Sequence, residues 1–187
     1  ILDRHGDELA VSTDAADVSA TPYLVKDPPK ASAQLAPLLG QTAEQIAAKL
    51  SDRKSGFVYL ARSVPGSAVA KIAKLEIEGI DTAPTSKRQY PGKTMAAQVL
   101  GFVGTEGKGL SGLEYRWEKQ LHGSDGERRV VKDGQGDAIS TVDVAKVQPG
   151  ENLQLTLDSQ LQLQTESVLK QVAATYSPKG ASAIVMD

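Results

Sequence analysis

The stretch at residues 107–112 has the G-x-G-x-x-G spacing that cradles phosphates in dinucleotide-binding proteins. In such proteins the loop follows a strand and opens a helix, and its glycines let the backbone approach the pyrophosphate. An apolar run, Val99 to Val103, precedes these glycines, and Asp133 follows at about the distance of the acid that binds the ribose. A nucleotide-binding enzyme is therefore one alternative for this chain.

The context of this loop argues against that alternative. A strand of a parallel sheet is buried on both faces and needs a continuous apolar run. The segment that would form the next strand holds only Val130 and Val131 between charged residues. We therefore interpret residues 107–112 mainly as the entry to a helix.

Other residues that could support catalysis or metal binding are scarce. The chain has no cysteine, and its two histidines, His5 and His122, lie far apart beside glycines. We interpret both as turn residues and expect no metal and no cofactor. The formal net charge is −2 and the pI about 5.8, which argues against nucleic acid as a partner because phosphate binding needs clustered Lys and Arg.

Composition predicts a globular protein with an aliphatic core, since 40% of the 187 residues are hydrophobic but only 4% are aromatic. No apolar run approaches the length of a membrane span, and we expect no signal peptide within these residues. The chain opens on Ile1 rather than Met and closes on the apolar run 183–186. We expect both ends to lie within a longer protein.

A helix from about Leu113 to Leu121 is predicted at the centre of the chain, with Gly123 ending it. Ser111 and Glu114 have the spacing of a capping box, in which the two residues satisfy each other's backbone N–H groups. The apolar residues at helical spacing are Leu110, Leu113, Trp117 and Leu121. This stripe predicts that Trp117, the only tryptophan, anchors the core.

The regions on either side of this helix alternate strand and helix signals. Residues 127–133 and 137–144 predict a hairpin with its turn at 134–137. Thr42 and Gln45 repeat the capping-box spacing before a helix that ends near Leu50. Residues 57–61 predict a strand, Pro65-Gly66 precedes a helix to about Glu78, and Pro37 is expected to limit a short helix to one side of it.

The last fifth of the chain predicts a strand, a helix and a second strand. Residues 152–158 alternate strictly, with Leu153, Leu155 and Leu157 inward. Asp158 or Ser159 caps the helix, and residues 181–186 form the final strand. Such a unit cannot bury its own apolar faces. We therefore expect residues 1–150 to form one domain and residues 151–187 to begin an incomplete second one.

Three ordered motifs resemble those of class B penicillin-binding proteins. They are Ile1-Leu2-Asp3-Arg4-His5-Gly6, Arg88-Gln89-Tyr90-Pro91-Gly92 and Gly109-Leu110-Ser111-Gly112-Leu113-Glu114. The resemblance covers nearly the whole chain and is to the non-catalytic N-terminal module of that family. Phe57-Val58-Tyr59-Leu60-Ala61-Arg62 is similar to a stretch typical of the septal, division-specific branch.

This resemblance implies an extended α+β pedestal, or dimerisation domain, on the extracytoplasmic face of the bacterial membrane, followed by the start of a transpeptidase domain. It also implies a membrane anchor N-terminal to this chain in the parent protein. The expected partners are membrane proteins of the division machinery, including a glycosyltransferase, with self-association as a further possibility. The expected structural or interaction residues are Arg4, Gly6, Arg88, Tyr90, Pro91, Gly92, Gly109, Gly112, Leu113, Glu114, Trp117 and Gly123.

The catalytic motifs of the family are not complete in this chain. Penicillin-binding serine enzymes combine S-x-x-K with Ser-x-Asn and K-T-G. S-x-x-K occurs at Ser51–Lys54 and Ser167–Lys170, but the only asparagine, Asn152, follows Gly150 at the serine position, and the only Lys-Thr pair precedes Met95. We therefore expect no catalysis by this chain and a D,D-transpeptidase site beyond residue 187 of the parent protein.

Three functions remain open on sequence alone. The favoured one is the septal module, which positions a transpeptidase and contacts division partners. The second is the same module from an elongation or sporulation paralogue, and the third is the dinucleotide-binding enzyme. Within the first two, we expect Glu114 to cap the central helix and to form an ion pair with Arg4 or Arg88, joining the three motifs.

Overall fold

A computed structural model of the chain describes residues 1–132 and 138–186. Its helices and small sheets give an α+β fold, which confirms the predicted fold class. The chain divides into two compact units. Unit 1 comprises Ile1–Val11, Gln89–Gly123 and Pro149–Asp187, and unit 2 comprises Ser12–Arg88 and Ser124–Gln148. The domain boundary expected near residue 150 stays a prediction.

Unit 2 contains the larger sheet and the longer helices that precede residue 90. Its elements are β1 (Val11–Ala20), α1 (Pro28–Leu39), α2 (Ala43–Leu50), β2 (Val58–Pro65), α3 (Gly66–Ala73) and β3 (Ile80–Gln89). The three strands have the order β2-β1-β3, and β1 pairs antiparallel with β2. The helix predicted after Pro65-Gly66 is shorter than expected, because α3 ends at Ala73.

An aliphatic core holds unit 2 together. Its buried residues are Val18, Ala20, Val25, Ala31, Leu35, Ile46, Leu50, Leu60, Val64 and Ile72. All but Val25, which lies between β1 and α1, come from strands and helices, and they face one side, so this core follows the pattern that binary periodicity predicts. Ordinary burial of apolar area therefore accounts for most of the stability of this unit.

The helix ends in unit 2 test the capping signals directly. Thr42 Oγ1 accepts the Gln45 N–H at 3.2 Å, and Gln45 Oε1 accepts the Thr42 N–H at 3.0 Å, which confirms the capping box of α2. The prediction for Pro37 is wrong, because this residue lies inside α1. It falls in the last turn before Gly40, where a proline removes only one backbone hydrogen bond from a helix that is about to end.

The predicted hairpin is confirmed. Strand β4 (Glu127–Lys132) pairs antiparallel with β5 (Ala138–Ala145), with Val131 opposite Ser140 and Arg129 opposite Val142. The turn predicted at residues 134–137 and Asp133 lie outside the described residues.

Unit 1 is built from short elements and one long helix. They are α4 (Ala97–Leu100), α5 (Gly112–Arg116), α6 (Glu118–His122) and α7 (Ser159–Tyr176). Residues 152–158 show the predicted alternation, with Leu153, Leu155 and Leu157 half-buried, but the predicted strand is wrong, because within this segment only Gln154 makes a bridge, to Leu2. The strand predicted at residues 181–186 is wrong, since this segment is exposed and has no strand partner in the described chain.

None of the helices in the described ranges is both long and apolar enough to cross a membrane.

Candidate functional site

The N-terminal turn in unit 1 is organised around a buried carboxylate, Asp3, whose side chain is fully shielded from solvent. Its Oδ1 accepts the backbone N–H groups of His5 at 2.8 Å and Asp7 at 2.9 Å, which closes the turn. Its Oδ2 accepts the Ser159 N–H at 3.2 Å. Asp3 therefore ties the turn to the first residue of α7.

The electrostatics of Asp3 follow from these donors. Burial alone would raise the pKa of the carboxyl, but the Ser159 hydroxyl and the N–H groups of Asp7, His5 and Ser159 hold the pKa well below its ordinary value. The charged form is thus the one that the fold stabilises. Asp3 acts as a structural anion and not as a proton donor at neutral pH.

A second set of contacts joins the same two segments. Asp158 Oδ1 accepts the N–H groups of Gln160 and Leu161 at 3.0 Å each and so caps α7, which confirms the predicted cap. The imidazole Nε2 of His5 lies 3.2 Å from Asp158 Oδ2. The N–H of Leu161 and the imidazole of His5 lower the pKa of Asp158. His5 is thus a turn residue, as predicted, that also contacts the helix cap.

The backbones of these two segments also pair side by side. The N–H of Leu2 donates to Leu153 O at 2.8 Å, Leu155 N–H donates to Leu2 O at 2.9 Å, and Arg4 N–H donates to Leu157 O at 2.8 Å. Beneath this pairing lies a small core of Ile1, Leu9, Ala10, Ala96 and Leu100. The N-terminal motif is thereby fixed against the segment that leads into α7.

Glu114 is the second buried carboxylate of unit 1, with only 2% of its surface exposed. The Tyr90 hydroxyl donates to its Oε1 at 3.2 Å, so the second and third family motifs meet at this hydrogen bond. The predicted capping box is wrong, because the Ser111 side chain makes no cap hydrogen bond to α5. The ion pair of Glu114 with Arg4 or Arg88 stays a prediction.

The central helix is interrupted where the sequence predicts it to be continuous. Trp117, with φ −111° and ψ 22°, separates α5 from α6. Its side chain is 39% exposed and Leu110 is 57% exposed, so the prediction that Trp117 anchors the core is wrong. Leu113 and Leu121 do pack against the core of unit 1. The break changes the direction in which the apolar residues face, so that of the four only Leu113 and Leu121 pack inward.

The glycines of the G-x-G-x-x-G stretch serve backbone packing. A Cβ at Gly109 would lie 2.2 Å from Glu114 O, and one at Gly112, where φ is +58°, would lie 2.5 Å from Val99 O. The Gly109 N–H, which would face a phosphate, donates to Glu118 Oε2 at 2.7 Å. The strands that follow are antiparallel. The dinucleotide-binding interpretation is therefore wrong.

The remaining predicted residues divide between the two units. Unit 1 contains all of them except Arg88, which belongs to unit 2 and donates from Nη1 to Ser12 Oγ at 3.0 Å. Gly6, with φ +92°, lies in the N-terminal turn, and Gly123 ends α6. Pro91 and Gly92 follow Tyr90 in a turn closed by the Lys93 N–H, which donates to Tyr90 O at 2.9 Å. Arg4 is exposed.

Sequence reasoning missed three acidic residues that hold unit 1 together: Asp3, Glu118 and Glu166. Glu166 Oε1 accepts the Ala96 N–H at 2.8 Å and so connects α7 to the segment before α4. The spacing of Asp3 before Gly6 is a turn signal that could have identified the first of them. No local pattern marks Glu166, because its partner lies seventy residues away.

Neither S-x-x-K sequence has the surroundings of an active-site serine. Ser51 Oγ donates to Ala47 O at 2.7 Å at the end of α2, and Ser167 and Lys170 are exposed on α7. A serine nucleophile needs a base that accepts its proton and donors that stabilise the oxyanion. These two serines have helix-surface roles instead.

Comparison with known proteins identifies one family. The model of the penicillin-binding protein dimerisation domain matches residues 1–155. The chain is 33% identical over 193 residues to the peptidoglycan D,D-transpeptidase FtsI of Escherichia coli K12. This alignment covers 100% of this chain and 33% of that protein. The chain is also 31% identical over 191 residues to stage V sporulation protein D of Bacillus subtilis 168. This alignment covers 100% of this chain and 30% of that protein.

The chain thus spans about one third of the length of these curated relatives. Among solved structures, the complex between the penicillin-binding protein PBP2 and MreC from Helicobacter pylori contains a similar fold. The TM-score is 0.63 at 20% identity, over 91% of this chain and 36% of that chain. At this identity the likeness concerns the fold.

Proposed function

We start from the fact that the chain belongs to the family of penicillin-binding protein dimerisation domains, and we propose that it positions the transpeptidase domain of a class B penicillin-binding protein. The observation that carries this proposal is the buried Asp3 carboxylate, which joins the N-terminal turn to Ser159 at the start of α7. In the proposed parent protein, α7 is the first helix of the transpeptidase domain. The turn would then fix where that domain begins.

The chemistry of the parent protein is proposed to be peptidoglycan D,D-transpeptidation, the activity named for FtsI of Escherichia coli. The module itself carries no part of it. A fluorescent penicillin should acylate the parent protein but leave the purified 187-residue chain unlabelled after denaturation. Label on the chain that is lost in Ser51→Ala or Ser167→Ala would contradict a non-catalytic role.

The positioning role has its own test in the parent protein. Asp3→Asn should reduce the rate of penicillin acylation although the substitution is outside the transpeptidase domain, and Asp52→Asn, which changes an exposed turn in unit 2, should leave the rate unchanged. An acylation rate that is equal in Asp3→Asn and the parent would overturn the positioning role.

We propose the septal branch as the biological setting. FtsI of Escherichia coli and stage V sporulation protein D of Bacillus subtilis have similar identities to this chain, 33% and 31%, so overall identity does not decide the branch. The support comes from the septal-like stretch Phe57–Arg62. A fluorescent fusion of the parent protein should accumulate at the division site. A signal along the side wall would favour an elongation role, and one confined to the forespore a sporulation role.

We also propose an extracytoplasmic location for the module and contacts with membrane proteins of the same machinery. The fold neighbour from Helicobacter pylori is a complex of PBP2 with MreC, which supports partner contact as a use of this fold. A glycosyltransferase is the partner proposed for the septal setting. Self-association of the module is a further proposal, and sedimentation of the purified chain over a range of concentrations tests it.

A further inference from the structure

Three side chains at β2 in unit 2 form an exposed cluster, which we call the aromatic–arginine cluster: Phe57, Tyr59 and Arg62. The rings of Phe57 and Tyr59 meet edge to face, with centroids 4.8 Å apart and planes at 88°. The Arg62 guanidinium carbon lies 4.2 Å from the centroid of the Tyr59 ring. The cluster is therefore ordered by its own contacts.

The aliphatic core of unit 2 does not need these aromatic rings. Phe57 is 55% exposed and Tyr59 is 41% exposed, whereas Leu60 and Val64 of the same strand are buried and form part of the core. Strand β2 thus has buried residues that stabilise the fold and, at its start, exposed aromatic residues that do not. Exposed aromatic rings beside an arginine have the composition of protein-interaction hot spots.

The guanidinium of Arg62 is available for a ligand. Across residues 1–132 and 138–186 it makes neither an ion pair nor a hydrogen bond, and its contact is with the Tyr59 ring. The acid on the neighbouring strand, Asp17, uses its Oδ1 to accept the Ser63 N–H at 2.8 Å. A planar guanidinium with free N–H groups is suited to bind a carboxylate through two hydrogen bonds.

The charge of the segment that carries the cluster is positive on balance. Residues 52–62 contain three basic residues, Arg53, Lys54 and Arg62, and one acid, Asp52, so three positive charges stand against one negative charge. The Arg53 guanidinium is held in place by the carbonyl oxygens of Tyr23 and Val25, at 3.1 and 3.3 Å. The local field therefore favours an acidic partner.

The edge of β2 is closed to strand addition at Leu60. The Leu60 carbonyl accepts hydrogen bonds from Lys49 Nζ at 2.6 Å and from Gln41 Nε2 at 2.8 Å. A partner strand would have to displace both donors to reach this carbonyl. Recognition at this site must therefore use side chains rather than backbone pairing.

We propose that the aromatic–arginine cluster binds a protein segment in which a carboxylate side chain lies next to an apolar one. The apolar side chain packs against Phe57 and Tyr59, and the carboxylate accepts hydrogen bonds from the Arg62 guanidinium. This inference rests on the partner contact proposed above and assigns it a place and a chemistry. One arginine and two rings form a small patch, which suits a short peptide better than a membrane surface.

The test is a selection from a displayed library of random short peptides against the full 187-residue chain, with counter-selection against Arg62→Gln. The expected consensus places Asp or Glu within one or two positions of an aliphatic or aromatic residue. An absent consensus, or one without an acid, would overturn the proposal. Binding of anionic lipid vesicles or peptidoglycan fragments at this cluster, without peptide binding, would overturn it as well.

Titration of the chain and its variants with the selected peptide then measures how much the guanidinium, the Tyr59 ring and the acid of the peptide each contribute to binding. Arg62→Gln should weaken binding about tenfold or more, and Arg62→Lys about fivefold, because lysine keeps the charge but loses the fork. Tyr59→Ala should weaken binding, as should replacing the acid of the peptide by its amide. The controls Lys54→Gln and Tyr23→Ala change a neighbouring charge and another exposed ring, and should stay within about twofold.

If the selected peptide binds the unmodified chain and Arg62→Gln with equal affinity, the role of the guanidinium is contradicted. Because this binding is measured on the isolated chain, its failure is distinct from a failure of the positioning role, which is measured by penicillin acylation of the parent protein.

Discussion

Units 1 and 2 are stabilised in different ways. The core of unit 2 has ten buried aliphatic residues, while that of unit 1 has five and contains both buried carboxylates of the described chain, Asp3 and Glu114. Unit 1 also joins three segments that are far apart in sequence. Burial of apolar area thus explains unit 2, whereas directed hydrogen bonds and close backbone packing explain unit 1. The second kind of structure is less tolerant of small changes.

The largest expected effect separates close packing from local conformation. In unit 1, Gly101 has φ +76° and ψ −155°, and a Cβ there would lie 1.9 Å from Ser111 O. Gly101→Ala should therefore lower the free energy of unfolding by about 3–5 kcal/mol. In unit 2, Gly40 has φ +64° and nothing within 4 Å, so Gly40→Ala should cost only about 1 kcal/mol.

Chemical denaturation of the two variants measures this difference, and amide exchange shows which unit opens. Similar losses in Gly101→Ala and Gly40→Ala would mean that unit 1 adjusts its backbone as readily as unit 2.

The next effect concerns the buried carboxylate of Glu114. Glu114→Gln preserves the shape of the side chain but removes the negative charge of the carboxylate that accepts the hydrogen bond of the Tyr90 hydroxyl. We expect a loss of about 3 kcal/mol in the free energy of unfolding, more than the roughly 1 kcal/mol of a lost helix cap. Glu44→Gln, at an exposed position in the first turn of α2, is the matched control and should change stability by less than about 0.5 kcal/mol.

Double-mutant cycles can identify the partners of Glu114. Coupling to Tyr90→Phe is expected from the observed hydrogen bond. Coupling to Arg4→Ala or Arg88→Ala would support the predicted ion pair, and values near zero with both arginines would rule it out.

Much of unit 2 could be predicted because its signals are local. The capping box of Thr42 and Gln45 and the hairpin strands depend on residues close in sequence, and both predictions are confirmed. In unit 1, residues 152–158 keep the predicted alternation of burial, but the predicted strand is wrong, because a single bridge at Gln154 is all that forms there. The capping box and the hairpin both lie outside the central helix, where prediction failed. Period and cap signals thus identify an element when its surroundings do not compete with them.

The failures have identifiable physical causes. Ser111 and Glu114 have capping-box spacing, but burial beside Tyr90 places the glutamate inside unit 1 instead. Residues 181–186 have strand composition, yet a strand forms only when another strand pairs with it. Asp3 is part of the N-terminal motif, but its hydrogen bond with Ser159 joins positions 156 residues apart. Such long-range polar contacts leave no periodic signal in sequence.

The third prediction is a pH dependence specific to unit 1. The folded-state pKa of Asp3 lies below the ordinary value of 3.8, so its stabilising contribution is fully present above that value and is lost as the pH falls toward the folded-state pKa. The thermal stability of the unmodified chain should therefore decrease when the pH is lowered below about 4. Asp3→Asn should show a smaller fall, because the titrating group is gone.

At neutral pH, Asp3→Asn should lower Tm by about 5 °C, because the amide nitrogen faces the Ser159 N–H where the carboxylate oxygen accepted it. Asp52→Asn is the unit 2 control, since Asp52 accepts the Lys54 N–H in an exposed turn. Its Tm should change by about 1 °C or less. If Tm decreases equally with falling pH in the unmodified chain and in Asp3→Asn, other carboxylates cause the pH dependence.

The smallest effect compares the same sequence signature in the two units. Thr42 and Ser111 each precede a helix with a Gln or Glu three residues later, but only Thr42 makes the cap hydrogen bonds. Thr42→Ala should cost about 1 kcal/mol, because the Gln45 N–H loses its acceptor. Ser111→Ala should change the free energy of unfolding by less than about 0.5 kcal/mol, since no cap bond is lost. A cost of about 1 kcal/mol for Ser111→Ala would mean that the serine caps α5 in solution, and unit 1 would then follow the same local rules as unit 2.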